Sequence, residues 1–420
     1  VNAFYTLRSL DSPTRLQFFI LFITALFFWT SLTLLLPILP TYISDLDANK
    51  QQVGIVMGAF AIGLIFSRRR LGYLVDRRGR KLVITIGTIV AATAPIGYLL
   101  APDIPALLVA RAYHGISVAA FTTAFSTLVV DLAPIKQRGE IIGYMSLTAP
   151  LGMGIGPAIG SSLQDTIGYH GLFILAAGLG TTAFLLNAWI REPSYQERMA
   201  RQREEGEEID RNFWELFWHP AFLTPTLIFF LIGTIFGGIV AFLPLFIREN
   251  NLPITAGAFY SYAAISSVSG RFLAGGASDR YGRGLFLTGG LLCYGASMFL
   301  LVNGRSAPEL ILAAICEGAG GGIVFPMLLA LISDRSYSNE RGRVYAICIG
   351  GFDVGTALAG PLLGIFNISY RAMFGISFGL AVLATALLFT RSNRSIVRSF
   401  QFAWGLDKDR HALISGKTER

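Results

Sequence analysis

Residues 72–81 read GYLVDRRGRK and residues 275–283 read GGASDRYGR; how these two stretches are read decides the fold. They stand 203 residues apart, and the same register continues outside them. Gly72 pairs with Gly275, Asp76 with Asp279, Arg77 with Arg280, Gly79 with Gly282 and Arg80 with Arg283. Upstream, Arg68 pairs with Arg271; downstream, Asp131 pairs with Asp334, Arg138 with Arg341 and Gly139 with Gly342. An offset this constant argues for a duplicated unit.

Around the two stretches the chain is apolar. Of its 420 residues 53% are hydrophobic and 14% charged, against roughly 25% charged in soluble domains. A soluble enzyme needs more charge to cover its surface, and disorder needs far less apolar content. Apolar runs predict helices near 17–44, 51–75, 82–101, 105–131, 139–163, 169–190, 221–247, 255–278, 284–303, 307–333, 343–367 and 370–390. Twelve spans of about 20 residues need roughly 240 residues, which leaves no room for a large soluble domain. The first apolar stretch is longer than a signal-peptide core and is expected to remain as a span.

Basic residues are unevenly shared between the two sets of loops. One set holds Lys50, Arg248, Arg305 and Arg371. The other holds Arg77, Arg78, Arg80, Lys81, Lys136, Arg138, Arg280, Arg283, Arg335, Arg341 and Arg343, with the basic residues of 191–220 and of both tails. The positive-inside rule makes the second set, and both termini, cytoplasmic. The net charge of +8 is then a topology signal, and no nucleic-acid partner is implied. The expected organisation is an N-terminal six-helix bundle over 1–190, a cytoplasmic linker over 191–220, a C-terminal six-helix bundle over 221–390 and a cytoplasmic tail over 391–420. The linker carries the charge run at 203–208, then Phe213, Trp214, Phe217 and Trp218, read as an amphipathic helix at the membrane interface. Cys293, Cys316 and Cys348 all lie in apolar stretches and give no disulfide framework.

GYLVDRRGRK resembles the loop 2–3 signature of the major facilitator superfamily, and GGASDRYGR resembles its loop 8–9 partner. The resemblance covers roughly residues 17–390. It implies an all-α membrane protein, with twelve transmembrane helices in two parallel six-helix repeats around a central cavity. It also implies a cytoplasmic gate. Its members here are Gly72, Asp76, Arg77, Gly79, Arg80, Asp131 and Arg138, repeated as Gly275, Asp279, Arg280, Gly282, Arg283, Asp334 and Arg341. In the superfamily the loop 2–3 aspartate meets the N-terminal end of helix 11, where the helix dipole favours an anion. Asp131 and Arg138 are expected to join one charge network with Asp76 and Arg80, and Asp334 and Arg341 to repeat the arrangement in the second half. Arg68, Arg69 and Arg70 depart from the pattern; Arg68 and Arg271 are expected to snorkel toward the aqueous surface.

The fifth helix reads GYMSLTAPLGMGIGPAIGS. Its Gly143, Gly152, Gly156, Pro157 and Gly160 are spaced as in exporters of the drug–proton antiporter families, as are Pro37 and Pro40 of the first helix. Gly152 and Gly156 form a small-xxx-small face expected between the two halves, and Pro157 bends the helix.

Ionisable residues at membrane depth are costly and are functional candidates. Here they are Arg111 and His114 on the fourth helix, Glu317 on the tenth and Asp353 on the eleventh. Glu317 stands 203 residues after His114, the repeat-equivalent position. Each also has a packing role open to it, as a polar group hydrogen-bonded between helices. Phe28, Trp29, Phe121 and Phe325 either line an apolar cavity or face lipid.

The resemblance implies proton-driven export of a small organic molecule, a drug or metabolite, by a monomer in the plasma membrane. The expected partners are that substrate, protons as the coupling ion and the lipid bilayer. Glu317 is the favoured proton carrier, ahead of Asp353 and His114. A proton-coupled uptake symporter and a non-transporting receptor on the same fold stay open. No enzyme, metal or cofactor site is expected: the sequence has no HExxH, no Walker P-loop and no cysteine-pair motif, and its histidines are scattered at 114, 170, 219 and 411.

Overall fold

The computed structural model describes residues 10–134, 137–192, 213–337, 340–366 and 368–413. Among the described residues the regular structure is helical, with no strand. The charge run at 203–208 lies outside them.

The first span, α1 (Ser12–Ser44), is interrupted at residues 35–37. Pro37 and Pro40 each lack an amide donor, so the ladder cannot run unbroken through them. Next come α2 (Lys50–Arg78), α3 (Arg80–Leu100) and α4 (Ile104–Leu132). Asn49 and Gln52 form a capping box at the start of α2, and Asp103 caps α4. A short helix, Arg138–Met145, leads into the long Thr148–Asn187. That helix breaks at Gly168, where φ is 63°, so it supplies α5 (148–167) and α6 (169–187). One residue in a left-handed conformation does the work of the longer connection expected at 164–168.

The second set is α7 (Pro220–Glu249), α8 (Ala256–Tyr281), α9 (Arg283–Asn303), α10 (Ala307–Arg335), α11 (Arg341–Ile365) and α12 (Tyr370–Arg391). A further helix, α13 (Ile396–Ala403), follows. Among the described residues ten stretches are long and apolar enough to cross a membrane. One of them holds both α5 and α6, and α8 is a further long helix, so among the described residues the membrane-length helices number twelve.

The chain folds as two compact units, Val1–Gly206 with Ala256–Ser261, and Glu207–Thr255 with Tyr262–Arg420. Within each unit the repeat is visible in the packing. α1 lies on α5, α2 on α4, and α3 on α4 and α6; likewise α7 lies on α11, α8 on α10, and α9 on α10 and α12. Lipid tails are as apolar as leucine, so close fit and hydrogen bonds between helices decide these contacts. Ser31 Oγ donates to the Ala176 carbonyl at 2.7 Å, and Thr33 Oγ1 donates to that of Gly152 at 2.7 Å. Phe28 stacks on Phe121 with centroids 3.9 Å apart, both fully buried. These rings fill the seam between α1 and α4, neither facing lipid nor lining an open space.

Candidate functional site

The fourth helix of each unit carries three of the four intramembrane candidates, Arg111, His114 and Glu317, and glycines determine what surrounds them. A Cβ at Gly63 would collide with the Ala112 carbonyl, and one at Gly115 with that of Phe60. α2 and α4 are therefore nearly in backbone contact, and Phe60 reaches across. The Arg111 guanidinium lies 4.5 Å over the Phe60 ring, and the His114 imidazole meets the same ring edge-on at 5.7 Å. From α3, the Tyr98 hydroxyl shares a 2.8 Å hydrogen bond with His114 Nδ1. Arg111 is 5% exposed and His114 fully buried. Among the described residues Arg111 has no ion-pair partner. A cation–π contact contributes about 0.5–2 kcal/mol, far short of the cost of burying a charge. The Tyr98 hydroxyl interacts with Arg111 as well as with His114, so the three side chains form one buried polar cluster.

The second unit repeats the backbone and changes the chemistry. A Cβ at Gly318 would collide with the Ala263 carbonyl, the repeat equivalent of Gly115 against Phe60. Ala263 and Ala314 stand where the first unit has Phe60 and Arg111, so the cation and its aromatic platform disappear together. Glu317 takes the place of His114 and is half-buried. Tyr294, buried on α9, is close enough to interact electrostatically with both Glu317 and Arg271. Arg271 is half-buried with its Nε sealed from solvent. Asp353 is 9% exposed on α11, and among the described residues no hydrogen bond or ion pair joins it to Glu317. Phe60, Tyr98 and Tyr294 carry no signal that marks them out among other apolar-helix aromatics; the glycines at 63 and 115 were the available signal for the close approach behind Phe60.

At the signature-bearing ends the structure brings Arg80 and Asp131 together, Nε to Oδ2 at 2.8 Å, and repeats the pair as Arg283 and Asp334 at 3.0 Å. Arg80 Nη1 also donates to the Val75 carbonyl at 2.9 Å. Gly79 and Gly282 join the helices with φ of 106° and 89°, a region that essentially only glycine occupies. Arg77 stacks over Tyr73 at 4.5 Å, and Arg138 is half-buried. A Cβ at Gly72 would meet no described atom within 4 Å. The side chains of Asp76, Gly275, Asp279, Arg280 and Arg341 lie outside the described residues.

Three glycines of the fifth-helix motif face α1, while the Pro157 carbonyl faces Gly257 at the start of α8. A Cβ at Gly152 would collide with Trp29, one at Gly156 with Thr33 Oγ1 and the Leu34 amide, and one at Gly160 with the Leu34 carbonyl. These glycines seat α5 on α1 within the first unit, because the threonines of α1 need backbone acceptors at close range. Pro157 is buried inside the helix, and Gly143 is exposed, ahead of the break at 146–147.

With this geometry in view, the likeness to known proteins is specific. The chain is 28% identical over 214 residues to the quinolone resistance protein NorA of Staphylococcus aureus strain MRSA252, covering 51% of this chain and 55% of that one. It spans about half the length of the NorA relatives it matches. It is 24% identical over 381 residues to the staphylopine export protein of Staphylococcus aureus strain Mu50, covering 88% and 95% of the two chains. Among solved structures, the nucleoside transporter NupG superposes with a TM-score of 0.71 at 15% identity, over 89% of this chain and 98% of the other. A bacterial homologue of the human lysosomal transporter Spinster gives 0.66 at 15% identity, over 94% and 97%. These two likenesses concern the fold. The profile of the Major Facilitator Superfamily matches residues 21–304 and 266–403, nearly all of this multi-pass membrane protein, and the chain belongs to that superfamily.

Proposed function

We propose that this protein is a secondary transporter that exports a small organic molecule in exchange for protons, by alternating access of its two six-helix units. The observation that carries the reading is the pair of repeat-related sites. One holds a buried guanidinium with no ion-pair partner among the described residues; the other holds a half-buried carboxylate, Glu317, with neither hydrogen bond nor ion pair among them. A coupling group must exchange a proton, and a carboxylate not committed to a fixed cation is free to do so. Arg111 stays charged throughout and acts on substrate or on a carboxylate rather than carrying the proton. The relatives' names, a quinolone resistance protein and a staphylopine export protein, support the outward direction. The basic-loop asymmetry supports both termini on the cytoplasmic side of the plasma membrane.

The test is transport in proteoliposomes with an imposed pH gradient, screening candidate organic substrates. Glu317→Gln should abolish gradient-driven export and leave substrate exchange at equal pH. Arg111→Lys should lose both. Full proton-coupled export by Glu317→Gln, Asp353→Asn and His114→Gln alike would overturn the mechanism. Binding of no small molecule would favour a receptor.

A further inference from the structure

Four residues separate the end of α12 from α13, so α13 starts where a membrane span ends. At about 100° per residue, its positions fall into three sectors. Ser399, Phe402 and Ala403 are buried against α9 and α12, where Thr288 Oγ1 donates to the Ala403 carbonyl at 2.8 Å. Arg398 and Gln401 form an exposed polar rim. The third sector holds Ile396, Val397 and Phe400, continued by Trp404 and Leu406. It is apolar and exposed, with Ile396 and Val397 at 68% and 67%. Apart from one edge, packing among the described residues leaves this face exposed. It is continuous with a span: Phe389 of α12 meets Phe400 at 5.5 Å and Trp404 at 5.8 Å.

The charge around it has one sign. Arg391, Arg394, Arg398, Lys408 and Arg410 are exposed. The two acids nearby are engaged, Asp409 with the buried Arg335 at 2.7 Å and Asp407 with Arg410 at 3.3 Å. An apolar face level with the end of a span, rimmed by arginines, fits the headgroup layer of an anionic bilayer. We propose that α13 is a membrane-surface helix that docks on anionic phospholipid, held in place against the second unit by the Arg335–Asp409 pair.

The test uses the full chain in nanodiscs of phosphatidylcholine, with and without phosphatidylglycerol. Spin labels are attached through Val397→Cys or Gln401→Cys, with Cys293, Cys316 and Cys348 replaced by serine. The label at 397 should be several-fold more accessible to oxygen than to an aqueous nickel chelate, and the label at 401 the reverse. Phosphatidylglycerol should deepen the 397 label, and Arg394→Gln with Arg398→Gln should remove that dependence. Equal accessibility at both positions overturns the proposal. So does dipolar broadening between labels at 397, which would assign the face to a second copy of the chain. Insensitivity to phosphatidylglycerol in the unsubstituted background also overturns it.

Discussion

The turn between α2 and α3 and the turn between α8 and α9 are written in the same residues and secured by different means. In the first, the Glu192 carboxylate accepts from the backbone amides of Arg80 at 2.7 Å and Lys81 at 3.0 Å, and Lys81 Nζ donates to the Ala188 carbonyl at 2.8 Å. An anion thus sits on the N-terminus of α3, where unpaired amides and the helix dipole favour it. In the second, Ser395 occupies the equivalent position and offers no carboxylate. The chain beyond α12 comes back instead. A Cβ at Gly284 would collide with the Phe402 carbonyl, and Gly405 lies against Tyr281 and Leu285. Arg335 replaces the repeat-equivalent Leu132. Its side chain is 1% exposed and donates to Asp409, to the Ala221 carbonyl and to that of Ser392, each at 2.7 Å. One side chain suffices in the first unit; a folded segment performs the task in the second. The same motif therefore carries different risks in the two halves.

The largest break in the comparison should come from Arg335. Asp409→Asn leaves a buried guanidinium without its counter-charge, which costs about 3–5 kcal/mol. The double change Arg335→Leu with Asp409→Leu restores the residue type of the first unit and should recover most of that loss. Thermal unfolding of the purified protein reads both, and equal losses for single and double variants would show that the tail is held elsewhere.

The junction glycines come next. Gly79→Ala and Gly282→Ala each force a side chain into a glycine-only conformation, at about 1–3 kcal/mol. At Gly79 the new Cβ would also stand 2.7 Å from Glu192 Oε2, whereas at Gly282 the nearest atom is 3.8 Å away. Gly79→Ala should therefore lower the melting temperature more; equal effects would mean that Glu192 yields without cost.

Glu192→Gln keeps the acceptor and removes the charge, so about 1 kcal/mol should be lost. Ser395→Ala should leave the α8–α9 turn unaffected, since Ser395 only caps α13. Hydrogen exchange at the first turns of α3 and α9 separates the two: protection should fall at α3 in the first variant and stay constant at α9 in the second.

The smallest effect is a pH dependence confined to the second unit. Burial first, and then the Arg335 charge, lower the pKa of His411, against the opposing charge of Asp409; Arg394 and His219 add to the lowering. The docked tail thus prefers the neutral imidazole. Docking should be complete above the ordinary imidazole value of about 6.5 and weaken as pH falls below it, because the released state then binds the extra proton. A fluorophore on the tail should report release on acidification, and His411→Gln should flatten the profile. An unchanged profile would place the sensing group elsewhere.

Much of this fold was legible in one dimension. Apolar length located the spans, and their ends agree with the helices to within about five residues apart from the start of the fifth, where the expected 139–163 is broken at 146–147. The constant register matched Arg80 to Arg283 and Asp131 to Asp334; that each arginine pairs with the aspartate of its own half is a result of the folded chain. A repeat can be read this way because it needs only sequence identity at a fixed spacing. The neighbours of Arg111 and Glu317 were not legible, nor was the partner of the α5 glycines. Membrane helices are apolar on the side that meets lipid and on the side that meets protein, so no periodicity tells which face turns inward. Close approach at Gly63, Gly115 and Gly156 made that choice, bringing Phe60 to Arg111 and α1 to α5. The tail was hidden for a related reason. Its anchor joins Arg335 to Asp409 across 74 residues, and only the folded chain, by burying the guanidinium, creates the demand for that carboxylate.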